Sequence, residues 1–214
     1  TNPPPAQAAS HTWKKRNMQF KIRYIHGLSG GVKSRTNTGL CEVFGTANVD
    51  CLSYPSETAT FGENFALILR KFEDAQRQNP APITAIVGTS LGGFFASKLA
   101  DELVKNRGVN PDCLALVLIN PATNPFETGK KLGYENSPVF RSYKGQTAAR
   151  NFAELGIAHT VFVALDDELL DPQQTLQYFA ADNVVKLPFG GHSCWNAQSE
   201  ICLLYTSDAA DDMQ

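Results

Sequence analysis

Six residues constrain this chain most: Gly-Thr-Ser-Leu-Gly-Gly, 88–93, set between one apolar run, Ile83 to Val87, and another, Phe94 to Ala100. A serine among glycines where a strand pattern ends and a helix pattern begins demands a sharp turn. A helix cap alone would explain the serine, since Ser accepts hydrogen bonds from the first free amides of a helix. A cap, however, needs neither Gly88 two residues before it nor Gly92 two residues after it. The spacing is that of Gly-x-Ser-x-Gly, a strained strand-to-helix turn that lifts a serine hydroxyl above a sheet. A side chain at either flanking position would collide with the neighbouring strand or helix. Ser90 is therefore a candidate nucleophile. Such a serine is inert without a base to take its proton and an acid to hold the base.

Strand and helix patterns alternate on both sides of this turn. Phe20 to Ile25 reads as a first strand and Val49 to Leu52 as a short second one. Residues 56–78 read as a helix, with Phe65, Leu67, Ile68, Leu69 and Phe72 near helical spacing. Ile83 to Val87 is the next strand, and the helix after the turn runs to about Asn106. Residues 113–120 are apolar enough for a strand buried on both faces, as in a parallel sheet. Residues 159–165 form another strand, Pro172 opens a helix, and residues 183–188 form a last strand. The alternation predicts an α/β fold: a mostly parallel sheet flanked by helices.

In such sheets ligands sit beyond the carboxyl ends of the strands. His26-Gly27-Leu28-Ser29-Gly30 follows the first strand, Ser90 the elbow strand and Asn120-Pro121-Ala122 the 113–119 strand; Asp166 and Asp167 follow 159–165, and Gly190-Gly191-His192 the last strand. Reactive residue types thus gather at one edge in the chain order Ser, Asp, His, which is that of α/β-hydrolases. His192, behind two glycines, is the candidate general base, and a neutral imidazole suits that task. His11 lies in a tail, His159 opens a strand, and His26 beside Gly27 is better placed to orient a loop than to do chemistry. The backbone amides of Leu28 and of Leu91, directly after the serine, are the candidate oxyanion donors. Gly27, Gly88 and Gly92 shape the two turns. His26, Ser29 and Asn120 are candidates to line the site, although Asn120 could equally cap the segment after its strand. Asp171 stands before Pro172 and three residues before Gln174, which marks it as a helix cap. Asp166 and Asp167 point to opposite sides on leaving the strand, so only one can face His192.

The 214 residues suit one domain, with 43% hydrophobic and 19% charged residues. A net charge of −2 gives no reason to expect nucleic acid or an anionic membrane as partner. No apolar run approaches the roughly 18 residues that cross a bilayer, and no secretory signal is visible. Five scattered cysteines form no CxxC pair, so neither a metal site nor a disulfide framework is expected, and a cytoplasmic setting fits. No cofactor is called for, and oligomeric state is not legible. Residues 1–17 are Pro-rich and polar and are expected to be a disordered tail ahead of a domain spanning 18–201. Residues 202–214 contain Cys-Leu-Leu-Tyr-Thr-Ser-Asp-Ala-Ala-Asp-Asp, which looks like a translated sequencing adapter. The gene would then be a fragment of environmental DNA without its natural C-terminus. Pro121 to about Arg150 is the expected cap, short and polar, with Phe126, Tyr134, Phe140 and Tyr143 as its aromatics.

Tyr-Ile-His-Gly at 24–27, Gly-Thr-Ser-Leu-Gly-Gly-Phe-Phe-Ala at 88–96, Ile-Asn-Pro-Ala at 119–122, Asp-Asp-Glu-Leu-Leu-Asp at 166–171 followed by Gln-Tyr-Phe-Ala, and Gly-Gly-His at 190–192 come in the order and spacing of the YqiA-like bacterial esterases. The chain resembles that family from about Arg23 to His192. The resemblance implies a small α/β-hydrolase acting as a serine esterase on carboxylic esters, and on thioesters as a further class. It implies Ser90 as nucleophile, His192 as base and Asp167 as acid, because the family's acid stands three before an aliphatic residue and four before the helix cap. Leu170 and Asp171 fill those places. Two departures are the residues before Met18 and the apparent loss of the family's last helix after Ile201. An acyl-CoA thioesterase or acyltransferase would use the same triad, with Lys130, Lys131, Arg141 and Lys144 the only candidate partners for CoA phosphates. A hydrolase fold retained only for binding would usually lack a triad member.

Overall fold

The computed structural model describes residues 20–194; the segments read as tails, 1–17 and 202–214, lie outside the described residues. Six strands form one parallel sheet: β1 (Phe20–Ile25), β2 (Val49–Cys51), β3 (Ile83–Thr89), β4 (Leu114–Ile119), β5 (Ala158–Ala164) and β6 (Val184–Leu187), in the order β2-β1-β3-β4-β5-β6. Pairing is in parallel register throughout, with Ile25 beside Gly88 and Thr89 beside Ile119. The chain leaves β1 towards β2 and then returns to β3 on the other side. The strand order therefore reverses between β1 and β3, and the loops beyond their carboxyl ends diverge to open a crevice.

Among the described residues six helices flank the sheet: α1 (Arg35–Phe44), α2 (Phe61–Gln78), α3 (Leu91–Lys105), α4 (Pro125–Lys131), α5 (Pro138–Arg141) and α6 (Pro172–Tyr178). Alternate residues of each strand enter different cores. Ala85 and Val87 pack with Ile22, Tyr24, Val117 and the α1 residue Leu40. Ile86 packs on the opposite face with Leu116, Leu118, the α2 residue Phe72 and the α3 residues Phe94, Phe95 and Leu99. All six residues of β4 are buried, as its unbroken apolar run predicts for a central strand. Arg23, fully buried, pairs with Asp50 and donates to Gln76 and to the Asn79 carbonyl at 2.9 and 2.8 Å, tying β1 to β2 and to the end of α2.

Two departures from the sequence reading concern helices. α2 begins at Phe61 rather than residue 56: Thr60 and Glu63 form a capping box there, and Ser56 is drawn away to accept from the Ser29 amide at 3.0 Å. α1 is an addition. Strand ends shift by up to two residues, with β3 running on to Thr89, the usual uncertainty of element boundaries.

Between β4 and β5 the chain passes through α4 and α5. Phe140 and Tyr143 turn inward, and Tyr143 joins Phe61, Phe94 and Phe95 in an aromatic cluster with ring centroids 5.8–6.0 Å apart. The Phe61 amide donates to Ser142 Oγ at 2.8 Å. The segment is thus anchored to the starts of α2 and α3, beside the turn that carries Ser90.

Candidate active site

Ser90 occupies the turn between β3 and α3 with φ 53° and ψ −121°, a region that side-chain-bearing residues rarely adopt. Such a conformation costs about 1–3 kcal/mol and persists only where the surroundings impose it. Here they do. The Ser90 amide donates to the Ile119 carbonyl at 3.0 Å, and its own carbonyl accepts from Gly93 and Ala122 at 2.9 and 3.0 Å. The flanking glycines are required sterically. A Cβ on Gly88 would lie 2.3 Å from the Gly92 carbonyl oxygen, and one on Gly92 would lie 2.1 Å from that of Ile25. The close packing of α3 onto the ends of β1 and β3 leaves no room at either position.

His192 reaches this turn from the loop after β6. Its Nε2 lies 2.9 Å from Ser90 Oγ, and its Nδ1 lies 3.0 Å from both carboxylate oxygens of Asp167. The Asp167 side chain is 2% exposed and that of His192 19%. Three residues from the ends of three different strands thus form one hydrogen-bonded chain. Asp167 Oδ1 also accepts from the amides of Leu169 and Leu170 at 2.8 and 2.9 Å, which fixes the carboxylate.

The three neighbouring candidates for the acid separate cleanly. Asp166 faces away from the ring and accepts from the Gly191 and Gly190 amides at 2.9 and 3.2 Å. The bond from Gly191, against a weaker effect of burial, and that from Gly190 hold its carboxyl below the usual range. Asp171 caps α6, accepting from the Gln173 and Gln174 amides.

The loop after β1 forms the opposite wall. Gly27 packs against Ser90; a Cβ there would meet Ser90 Cβ at 3.2 Å. Gly30 donates to the Gly27 carbonyl at 3.1 Å, closing a turn with Ser29 at φ 56°. His26 does not face the serine. It is 1% exposed, its Nδ1 lies 2.7 Å from the Gly27 carbonyl, and its Nε2 accepts from the Tyr54 amide at 3.2 Å. Those partners assign the proton to Nδ1, and burial lowers the pKa, so the ring stays neutral. Ser29 turns its amide to Ser56. The amides of Leu28, next to Gly27, and of Leu91, next to Ser90 in the chain, donate to no protein acceptor among the described residues.

Asn120 is a buried polar side chain that donates to the Gly191 and His192 carbonyls in the loop after β6. Sequence reasoning missed Tyr54, Ser56 and Glu168, which hold the two loops. Only the placement of Tyr54 and Ser56 just past a strand end, and of Glu168 beside Asp167, could have pointed to them. Among the described residues no group of His, Cys, Asp or Glu could hold a metal ion, and no helix is long and apolar enough to cross a membrane.

Solved structures named as α/β-hydrolases share this arrangement of elements. Est1E from Butyrivibrio proteoclasticus matches with a TM-score of 0.64 at 16% identity, over 90% of this chain and 89% of that one. An esterase from Pyrococcus furiosus matches at 0.62 and 11% identity, over 89% and 82%. Mouse alpha/beta hydrolase domain-containing protein 10 matches at 0.53 and 15% identity, over 91% and 90%. At such identities the likeness shows the fold alone: the chain has the α/β-hydrolase fold. No curated protein matches in sequence. The model of uncharacterised protein family UPF0227 matches residues 21–193, and the chain belongs to that family, the YqiA-like proteins.

Proposed function

We propose that the protein is a carboxylic ester hydrolase working through an acyl-enzyme. The observation that carries the reading is the chain from Ser90 Oγ through His192 to Asp167, with contacts of 2.9 and 3.0 Å. Ser90 attacks the ester carbonyl while His192 Nε2 takes its proton. Asp167, accepting from Nδ1–H, holds the ring in the tautomer that leaves Nε2 free and stabilises the imidazolium. The Leu28 and Leu91 amides receive the developing oxyanion. His192 returns the proton to the leaving alcohol, and water, activated by the same imidazole, releases the acid.

The fold of the neighbouring structures, one of them named an esterase, supports a hydrolase of this kind. For the substrate we propose short to medium acyl esters, with residues 121–150 as the cap. The cap is short and polar, and its aromatics Phe140 and Tyr143 are buried against the core, which leaves little apolar surface to receive a long alkyl chain. A CoA leaving group is less well served. Lys130 pairs with Glu127, and Arg141 is bound to the Glu135 carbonyl and to Asn136. Cys41, Cys51 and Cys113 are free, which fits a reducing compartment such as the cytoplasm as its setting.

The test is hydrolysis of a p-nitrophenyl ester series by the parent and by Ser90→Ala. The parent should turn over the C2–C6 esters, and the variant, equally folded, should lose on the order of 10⁴-fold or more. Parent-like turnover by the variant would remove Ser90 from the chemistry.

A further inference from the structure

We propose that Asn120 is the positioning residue for His192, acting with Glu168 to fix the base's backbone so that its ring stands between Ser90 and Asp167; this rests on the hydrolase reading above. Asn120 follows β4, and its amide donates to the Phe162 carbonyl at 2.9 Å. Its backbone has φ 39°, unusual for a residue with a side chain. The side chain is buried, and every polar position on it is used. Nδ2 donates one hydrogen to the Gly191 carbonyl and the other to the His192 carbonyl, both at 3.0 Å. Oδ1 accepts from the Ala164 amide at 2.8 Å. The amide orientation is unambiguous, since the reverse would set an oxygen against two carbonyls and an NH₂ against an amide N–H. One side chain therefore joins the ends of β4 and β5 to the loop after β6.

The base is held at three points. Its carbonyl is held by Asn120, its ring by Asp167, and its amide by Glu168, whose Oε2 accepts at 2.8 Å. Gly191 stands at φ +60°, which side chains rarely adopt, and a Cβ there would press on Glu168 Oε2 at 3.2 Å. His192 follows a two-glycine segment with positive φ at both glycines, backbone that has no intrinsic preference for this course. Asn120 and Glu168 supply the constraint that the glycines do not. Neither contacts the reacting atoms, so their effect passes through His192. A displaced imidazole still leaves the oxyanion donors and the cap in place, so the loss falls on kcat rather than KM.

The experiment compares Asn120→Ala, Asn120→Asp, Glu168→Ala and Glu168→Gln with the parent by steady-state kinetics, melting temperature and rate of labelling by a fluorophosphonate. Asn120→Ala should lower kcat by roughly 10²-fold with KM within twofold. Asn120→Asp should do the same, because it keeps the acceptor for Ala164 but turns an oxygen on the two carbonyls. Glu168 is exposed, so its variants fold even if those at Asn120 do not. Glu168→Ala should lower kcat roughly tenfold, and Glu168→Gln, which keeps an acceptor, should recover most of it. Labelling rates should fall in parallel with kcat. Parent-like kcat in Asn120→Ala or Glu168→Ala, or a loss confined to KM, would overturn the positioning role. Absence of labelling in the parent would overturn the hydrolase reading beneath it.

Discussion

The loops after β1 and β6 begin alike and end in opposite uses of one residue type. Each follows a parallel strand, each pairs a histidine with glycine, and each approaches Ser90. In the first, His26 is 1% exposed and both ring nitrogens meet backbone groups of its own wall. In the second, the His192 side chain is 19% exposed, one nitrogen faces a carboxylate and the other a serine hydroxyl. His26 stacks on Tyr54 at 4.5 Å and serves as a rigid spacer that shapes the Gly27–Gly30 turn. His192 is held by its backbone, which leaves its ring available. Partners, not residue identity or distance from a strand end, decide which histidine can move a proton.

The largest effect separates the two directly. His192→Ala should cost on the order of 10⁴-fold or more in kcat while leaving the melting temperature near that of the parent. His26→Ala should instead cost stability, about 1–3 kcal/mol, because it strands the Tyr54 amide in a buried position. A reversal of the two outcomes in paired kinetics and thermal melts would exchange their roles.

Next is Asp167→Asn, which should lower kcat by roughly 10²–10⁴-fold because the imidazole loses the carboxylate that sets its tautomer. Asp171→Asn should retain activity, since asparagine caps a helix about as well as aspartate. Finding Asp171→Asn inactive and Asp167→Asn active would move the acid one helical turn along the chain.

A smaller effect sharpens the account of His26. Burial lowers its pKa in the folded chain, whereas in the unfolded chain it takes a proton near pH 6.5. Between those two values the unfolded state binds more protons, so stability is full above about pH 6.5 and falls as pH drops through the folded value. His26→Gln, which keeps an acceptor for Tyr54, should show a shallower fall in melting temperature between pH 7.5 and 5.5. An unchanged slope would show that the buried ring does not contribute to acid sensitivity.

Much of this could be read from the chain. The central strands β3 and β4 appear as apolar runs, because a parallel sheet covered on both faces buries them almost wholly, whereas the edge strands β2 and β6 bury only Val49 and Leu187. The Ser90 turn is legible because only glycine fits at 88 and 92. α1 was not legible: Arg-Thr-Asn-Thr-Gly-Leu-Cys-Glu-Val-Phe contains weak helix formers and buries Thr36, Asn37 and Gly39 as well as Leu40, so apolar periodicity is missing. Its N-cap Ser34, accepting from Asn37, was the available signal. The start of α2 was misread although Thr60 and Glu63 carry a capping-box spacing. Asn120 and Glu168 were beyond reach as parts of the base loop, because their bonds join residues 71, 72 and 24 positions apart.

The central claim is that Ser90 is a nucleophile activated by His192. Its most direct measurement is intact mass after treatment with a fluorophosphonate, followed by peptide mapping. The account predicts one adduct per chain, on the peptide containing Ser90, absent in Ser90→Ala and strongly slowed in His192→Ala. No adduct on the folded parent, or an undiminished adduct in Ser90→Ala, would contradict it.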